Sequence, residues 1–267
     1  MGKALICDVF AATNPGAGGG NATAGAGSTL VVRNSTLQSP VWLTDMWRKG
    51  ASAGFVRLSS PKIVPVAGGI NVNGSAGLAD FFMYGLPFQA LTPQDILTAT
   101  ISGGAAEVDV GVMQSYYTDL PGVEMTLKNP GDINGNVQFV FGWRVATVAS
   151  ATPGAQAQTV ITATQDSSSA NAWYALLGYV TDTSLALVGL NGVDTSLSTI
   201  GGPGDATTPK NTQGYFQDLS QNCGMPCIPC FNAANKGNTF VVTADNAAST
   251  AANISLILAQ MNPTWTP

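Results

Sequence analysis

The residues most able to do chemistry in this sequence are three cysteines close together near its C-terminal end. Cys223, Cys227 and Cys230 share one short segment, and Cys7 lies far upstream. Four cysteine thiolates make a common structural zinc site, and two neighbouring thiols can form a disulfide. The segment therefore offers a candidate metal site at Cys223, Cys227 and Cys230 and a candidate disulfide between Cys227 and Cys230.

Two features of the same segment favour a third interpretation. Its cysteines do not follow the paired Cys-x-x-Cys spacing of a zinc ribbon, and the sequence has no histidine to complete a site. Pro226 and Pro229 restrict the backbone between the thiols, because a proline ring fixes φ. We therefore interpret the segment as an ordered loop that holds small, partly buried cysteines, with the disulfide and the metal site as alternatives. No cofactor is predicted.

The lack of histidine also narrows the reactions that the chain could catalyse. A Ser-His-Asp triad, a Cys-His pair and an imidazole proton shuttle are excluded. Glu107 and Asp109 lie two positions apart, on one face of a predicted strand, whereas a glycosidase needs two carboxyl groups that face each other across a cleft. We interpret this pair as a solvated strand face. No catalytic residue is predicted, and we expect that the protein is not an enzyme.

The overall composition excludes further classes of protein. Hydrophobic residues make up 45% of the 267 residues, too many for a disordered tail, and charged residues only 9%. The net charge is −5 and the 10 basic residues are scattered, so we expect no direct nucleic-acid binding, which needs clustered Lys and Arg. No apolar run reaches the ~20 residues of a membrane-spanning helix. The first residues make a poor signal peptide.

The pattern along the chain predicts an all-β protein with short connecting helices. Apolar and polar residues alternate in short runs separated by Gly, Pro, Asn and Asp, as is typical of strands and turns. A short strand at 4–10 and the Gly-rich stretch 14–28 together suggest an N-terminal arm, residues 1–28. Helical turns are predicted at 41–48 and 93–97. Further strands are predicted at 29–34, 54–59, 63–66, 70–72, 78–84, 97–102, 107–114, 124–127, 136–148, 159–164, 173–181, 184–190, 214–217, 238–244 and 253–260.

Two pairs of similar segments indicate an internal duplication. Residues 54–74 resemble residues 174–194, and residues 97–114 resemble residues 241–260, in the same order. The separations within the two pairs differ because the second half would carry a long insertion, 201–238. If the duplication is genuine, each half has the size of one eight-stranded antiparallel sandwich. Chance similarity between Val-, Thr- and Gly-rich strands is the alternative.

This duplicated pattern, with its arm and its ion-poor composition, resembles the double jelly-roll major capsid proteins of tailless icosahedral viruses, including membrane-containing bacteriophages. The resemblance covers about residues 28–262 and concerns architecture. It implies two tandem antiparallel β-sandwiches, a first jelly roll at 29–132 and a second at 133–267 with a long loop at 201–238.

The same resemblance implies a structural protein of the virion that self-assembles. Homotrimers would tile an icosahedral capsid and contact neighbouring capsomers and other virion proteins, such as vertex or minor capsid proteins. Residues 1–28 or 264–267 would contact neighbours or an internal membrane.

Two other classes fit parts of this pattern. One is a different structural protein, either a single-jelly-roll capsid protein with an extra domain or a phage decoration or spike protein. The other is a carbohydrate-binding β-sandwich module with an aromatic sugar-binding face, although aromatic residues also dominate cores and interfaces. The aromatic residues concerned are Trp42, Trp47, Tyr116, Tyr117, Trp143, Trp173 and Trp265.

Overall fold

The computed structural model describes a defined part of the chain. The described residues are 2–13, 20–24, 30–31, 41–50, 55–59, 70–72, 88–91, 96–102, 107–118, 126–147, 157–162, 172–181, 185–191, 200–204, 212–232, 239–245 and 252–267. Side-chain burial is described for residues 44–45, 126–143, 172–180, 212–232 and 255–267.

The first group of strands, named here the N-terminal strand set, forms one sheet. Its members are β1 (Gly2–Thr13), β2 (Gly20–Ala24), β3 (Leu30–Val31), β4 (Val41–Gly50), β5 (Phe55–Ser59), β6 (Ile70–Val72), β7 (Phe88–Leu91), β8 (Ile96–Ser102) and β9 (Glu107–Thr118). They run in the order β6-β5-β8-β2-β1-β9-β4-β7, and β3 pairs with β8 off this path. All of the pairs are antiparallel.

The remaining strands, the C-terminal strand set, form two sheets. Its members are β10 (Thr126–Lys128), β11 (Val137–Thr147), β12 (Ala157–Thr162), β13 (Trp173–Thr181), β14 (Leu185–Asn191), β15 (Ile200–Gly204), β16 (Ile228–Asn232), β17 (Thr239–Asp245) and β18 (Ala252–Met261). One sheet has the order β10-β16-β13-β18-β11 and the other the order β12-β17-β14-β15. Two helices, α1 (Pro130–Ile133) and α2 (Tyr215–Cys223), and a 3₁₀ turn at Thr212–Gly214 accompany them.

The described part of the chain is thus mostly antiparallel strand with few helices, which confirms the all-β expectation at that level. Within it, no helix has the length and hydropathy to cross a membrane. The predicted strands at 63–66 and 78–84 lie outside the described residues, as do residues 93–95 of the second predicted helical turn.

The two strand sets share one order of pairing. With β3 and β10 set aside, each set has eight strands among the described residues, which we number from first to eighth along the chain. In both sets the first, eighth, third and sixth strands are neighbours in that order, and so are the second, seventh, fourth and fifth. The sets differ in that β1 and β2 pair, through Phe10 and Ala24, which joins the two groups into one sheet.

The common strand order agrees with one of the two sequence matches and disagrees with the other. The match between 97–114 and 241–260 aligns the seventh and eighth strands of both sets, β8 and β9 with β17 and β18. The match between 54–74 and 174–194 aligns β5, a fourth strand, with β13, a third strand. The second match is therefore out of step with the strand order by one strand.

The structure corrects three expectations about local structure. Residues 2–13 are not part of an arm, because β1 pairs with β9 along its whole length, from Gly2–Thr118 to Thr13–Glu107. Residues 41–48 are not helical but lie in β4, whose register against β9 shifts between Leu43 and Asp45. Such a bulge interrupts the period of two and leaves an apolar spacing near that of a helix.

The third correction concerns residues 214–217, predicted as a strand. Tyr215 is the first residue of α2, and Gly224, the residue that follows the helix, has the left-handed conformation with φ of 62°. Glycine favours such a C-terminal position because it has no Cβ to clash. The buried residues of α2 follow a helical spacing and form one face: Tyr215, Phe216, Leu219, Ser220 and Cys223.

The described core lies between α2 and the sheet that contains β13. Phe216 is completely buried and Leu219 is 4% exposed, and both belong to the same cluster as Tyr179 and Leu258. The chain end also belongs to this cluster, because Trp265 packs edge-on against Trp173 with ring centroids 6.0 Å apart. Burial of such side chains is the main favourable term in folding.

Candidate functional site

The three cysteines lie in and after α2, in the buried core. Cys223 is the last residue of α2, Cys227 is completely buried, and Cys230 lies in β16. All three are thiols, so the candidate disulfide between Cys227 and Cys230 is absent. In the part of the chain that the structure describes, no group of three or more cysteine and acidic residues is arranged to hold a metal ion.

Burial also lowers the chemical reactivity of two of these thiols. Burial, and to a lesser degree the nearby Asp45 carboxylate, raises the pKa of the Cys223 thiol to about 12. Burial raises the pKa of the Cys230 thiol to about 12 as well, where the Lys128 and Asp132 charges act in opposite directions. Because the thiolate is the nucleophile and the metal ligand, both groups are suited to packing rather than to catalysis.

A buried polar contact joins the two strand sets at α2. The Tyr215 hydroxyl donates a 2.8 Å hydrogen bond to Asp45 Oδ2, and the Cys223 thiol donates to the Thr44 carbonyl at 3.2 Å. These partners are 170 and 179 residues apart in the sequence. Sequence patterns gave no signal for this contact, because neither Asp45 nor Tyr215 belongs to a recognisable motif.

The segment before α2 lies directly on β13. A Cβ atom at Gly178 would collide with the backbone carbonyl oxygens of Thr212 and Gln213. The register of β13 against β18 shifts between Leu176 and Gly178, next to this close approach. Glycine at 178 therefore lets the 3₁₀ turn cover β13.

Among the residues whose burial the structure describes, the exposed large hydrophobic residues lie on β11, at the end of its sheet. Phe139 is 46% exposed and Val140 54% exposed, and both are large hydrophobic residues. Phe139 contacts Phe141 at a centroid distance of 5.7 Å. The first half of β11, up to Trp143, carries no charged residue. Natural edge strands are usually protected by charges or proline against pairing with other chains.

The remaining candidates from the sequence are separate from this region. Glu107 and Asp109 lie in β9, where they pair with Thr13 and Ala11 of β1. Among the aromatic residues, Trp265 is buried and Trp173 half-buried against each other, so they form packing rather than a sugar-binding face. The side chains of Trp42, Trp47, Tyr116 and Tyr117 lie outside the described set.

Comparison with known proteins adds little to this geometry. No protein-family model matches the chain, and no curated protein matches it. Among solved structures, the crystal structure of the major capsid protein P2 from bacteriophage PM2 aligns with 99% of this chain and 98% of its own, at 9% identity and a TM-score of 0.21. At so low a TM-score and identity, this likeness does not establish a shared function.

Proposed function

We propose that this chain is a structural protein of a virion, a major capsid protein with two tandem jelly rolls that assembles as trimers into an icosahedral shell. The observation that carries the proposal is the strand order common to both sets, first-eighth-third-sixth and second-seventh-fourth-fifth. This is the connectivity of a jelly roll, an eight-stranded fold used by viral capsid domains among others. Two copies in one chain are what a double jelly-roll subunit requires.

The surface chemistry supports self-assembly. Only 9% of the residues are charged, whereas a free soluble domain usually has about 25%. The exposed Phe139 and Val140 lie on an uncharged stretch of β11. Copies of the chain that cover this stretch would remove apolar surface from water, repeated at every symmetry-related contact.

The same proposal assigns the partners and the location. The chain would lie in the capsid and contact its own copies, neighbouring capsomers and other virion proteins such as vertex or minor capsid proteins, with an internal membrane as a further contact. No enzymatic activity belongs to the proposal, which rests on packing of the subunits alone.

Size-exclusion chromatography with light scattering, followed by electron microscopy, tests this function. We expect a mass three times that of the 27.3 kDa chain, or larger particles with a regular shell. A monomer at all concentrations that binds a glycan array would contradict the capsid role and favour the carbohydrate-binding class.

A further inference from the structure

We propose that α2 is a clasp that holds the two strand sets together within one subunit, and that the Cys223 thiol becomes accessible when this clasp opens. The proposal concerns the single chain and goes beyond the capsid role. Helix α2 lies between β15 and β16 in the chain, within the C-terminal set, yet it contacts β4 of the N-terminal set.

Both ends of α2 are hydrogen-bonded to β4. Tyr215 is the first residue of α2 and bonds to Asp45, while Cys223 is its last residue and bonds to the Thr44 carbonyl. A hydrogen bond from a hydroxyl to a carboxylate is among the stronger kinds in proteins. The two contacts therefore join the first and last residues of α2 to two adjacent residues of β4.

The bulge in β4 makes this double contact feasible. In a regular strand, successive side chains point to opposite faces, but Thr44 and Asp45 are both buried, at 2% and 5% exposure. The register of β4 against β9 shifts at this point, between Leu43 and Asp45. A bulge frees one residue from the ladder, and the Thr44 carbonyl accepts from Cys223 instead.

One buried polar group at the contact between α2 and β4 is unsatisfied, which weakens that contact. The Thr44 hydroxyl is buried and has no hydrogen-bond partner among the described residues. An unpaired buried hydroxyl costs free energy. On the same buried face, α2 is anchored to the C-terminal set through Phe216 and Leu219 in the core. Opening should therefore separate α2 from β4 while α2 stays on its own sheet.

Selective labelling of the thiols tests the proposal on the full-length protein. N-ethylmaleimide is added to the native protein, and mass spectrometry gives the labelling rates at Cys223 and Cys230. Both thiols are 2% exposed, and burial raises the pKa of each to about 12, so both start from low reactivity. Clasp opening exposes Cys223 alone, whereas global unfolding exposes both, so the rate ratio separates the two events.

The informative variant is Tyr215→Phe, and the matched control is Tyr174→Phe. Each removes one buried hydroxyl, but the Tyr174 hydroxyl bonds to Gln260 within one sheet of the C-terminal set. We expect Tyr215→Phe to raise the ratio of Cys223 to Cys230 labelling by about tenfold, the scale of one hydrogen bond to a charged group. We expect the control to leave the ratio within about twofold.

Two results would overturn the proposal: a wild-type ratio in Tyr215→Phe, or an equal rise in both variants. If Tyr215→Phe does not fold, the wild-type protein in rising urea below its unfolding midpoint gives the same test. The clasp predicts that Cys223 is labelled before Cys230, and simultaneous labelling would refute it. Neither readout depends on trimer formation, so the clasp and the capsid role fail separately.

Discussion

Strands β11 and β13 lie on the two sides of β18 in one sheet, yet their surroundings are opposite. Every residue of β13 from 174 to 179 is buried, on both faces, whereas Gln138, Phe139 and Val140 in β11 are exposed. The difference arises because the 3₁₀ turn and α2 cover β13 from outside, while β11 pairs with β18 alone among the described strands. One strand is covered by its own chain, and the other has two exposed large hydrophobic residues, Phe139 and Val140.

The largest expected loss of stability comes from a change in α2, the helix that packs on β13. Phe216→Ala removes a completely buried ring from α2 and should lower the free energy of unfolding by about 3–5 kcal/mol, the range for such truncations. The matched change on β11, Phe139→Ala, removes a 46% exposed ring and should cost about 1 kcal/mol or less. Urea unfolding of both variants at low protein concentration measures the contrast. Equal losses would remove the distinction between the strands.

A pair of glycines makes the second test. Gly178→Ala places a Cβ against the Thr212 and Gln213 carbonyls, which belong to the backbone and cannot rotate away, so we expect a loss of about 3 kcal/mol. Gly142→Ala in β11 meets only the flexible end of Ile257, at 3.8 Å, and should change stability by less than about 0.5 kcal/mol. Thermal unfolding distinguishes the two. A tolerated Gly178→Ala would mean that the 3₁₀ turn does not lie on β13.

A smaller loss of stability should appear at high pH, and it comes from the buried thiols of Cys223 and Cys230. The pKa of Cys223 and of Cys230 is about 12 in the folded chain and 9.0 without burial. Above pH 9 the unfolded state therefore loses these protons first, and stability falls as pH rises towards 12. At pH 10 the loss should be about 1 kcal/mol for each thiol.

Urea unfolding at pH 8 and at pH 10 measures this loss. Because Lys and Tyr also titrate near pH 10, the control is the double variant Cys223→Ala with Cys230→Ala. It should show a smaller drop between the two pH values than the wild-type protein. The same drop in both proteins would show that the thiols do not titrate as their burial requires.

The regular strands were the easiest part to predict from sequence. The alternation in β9 and β11 follows from the period of two in half-buried strands, and the continuous apolar run at 173–181 is typical of a fully buried strand. The sequence could not predict β4 correctly, because the bulge at Thr44 breaks that period. The early residues were interpreted as an arm because Gly-rich sequence is typical of coil, although β1 and β2 gain partners from distant strands.

The contacts of α2 were beyond any sequence pattern. Its polar residues, such as Gln217, Gln221 and Asn222, gave a weak helical signal beside its buried face. Its partners Asp45 and Thr44 are 170 and 179 residues away from the residues they bond, so only the tertiary fold brings them together. The sequence offered the cysteines as a candidate disulfide or metal site, whereas the structure describes three buried thiols and one hydrogen bond, from Cys223.

The most direct test of self-assembly through β11 is the mass of the assembled protein when an exposed residue of that strand is changed. Light scattering is measured on the wild type, on Phe139→Asp in β11, and on Gln221→Asp, which adds the same charge at an exposed position of α2. We expect trimers or larger particles for the wild type and for Gln221→Asp, and a folded monomer for Phe139→Asp. A monomeric wild type, or assembly that is unchanged in Phe139→Asp, would contradict self-assembly through β11.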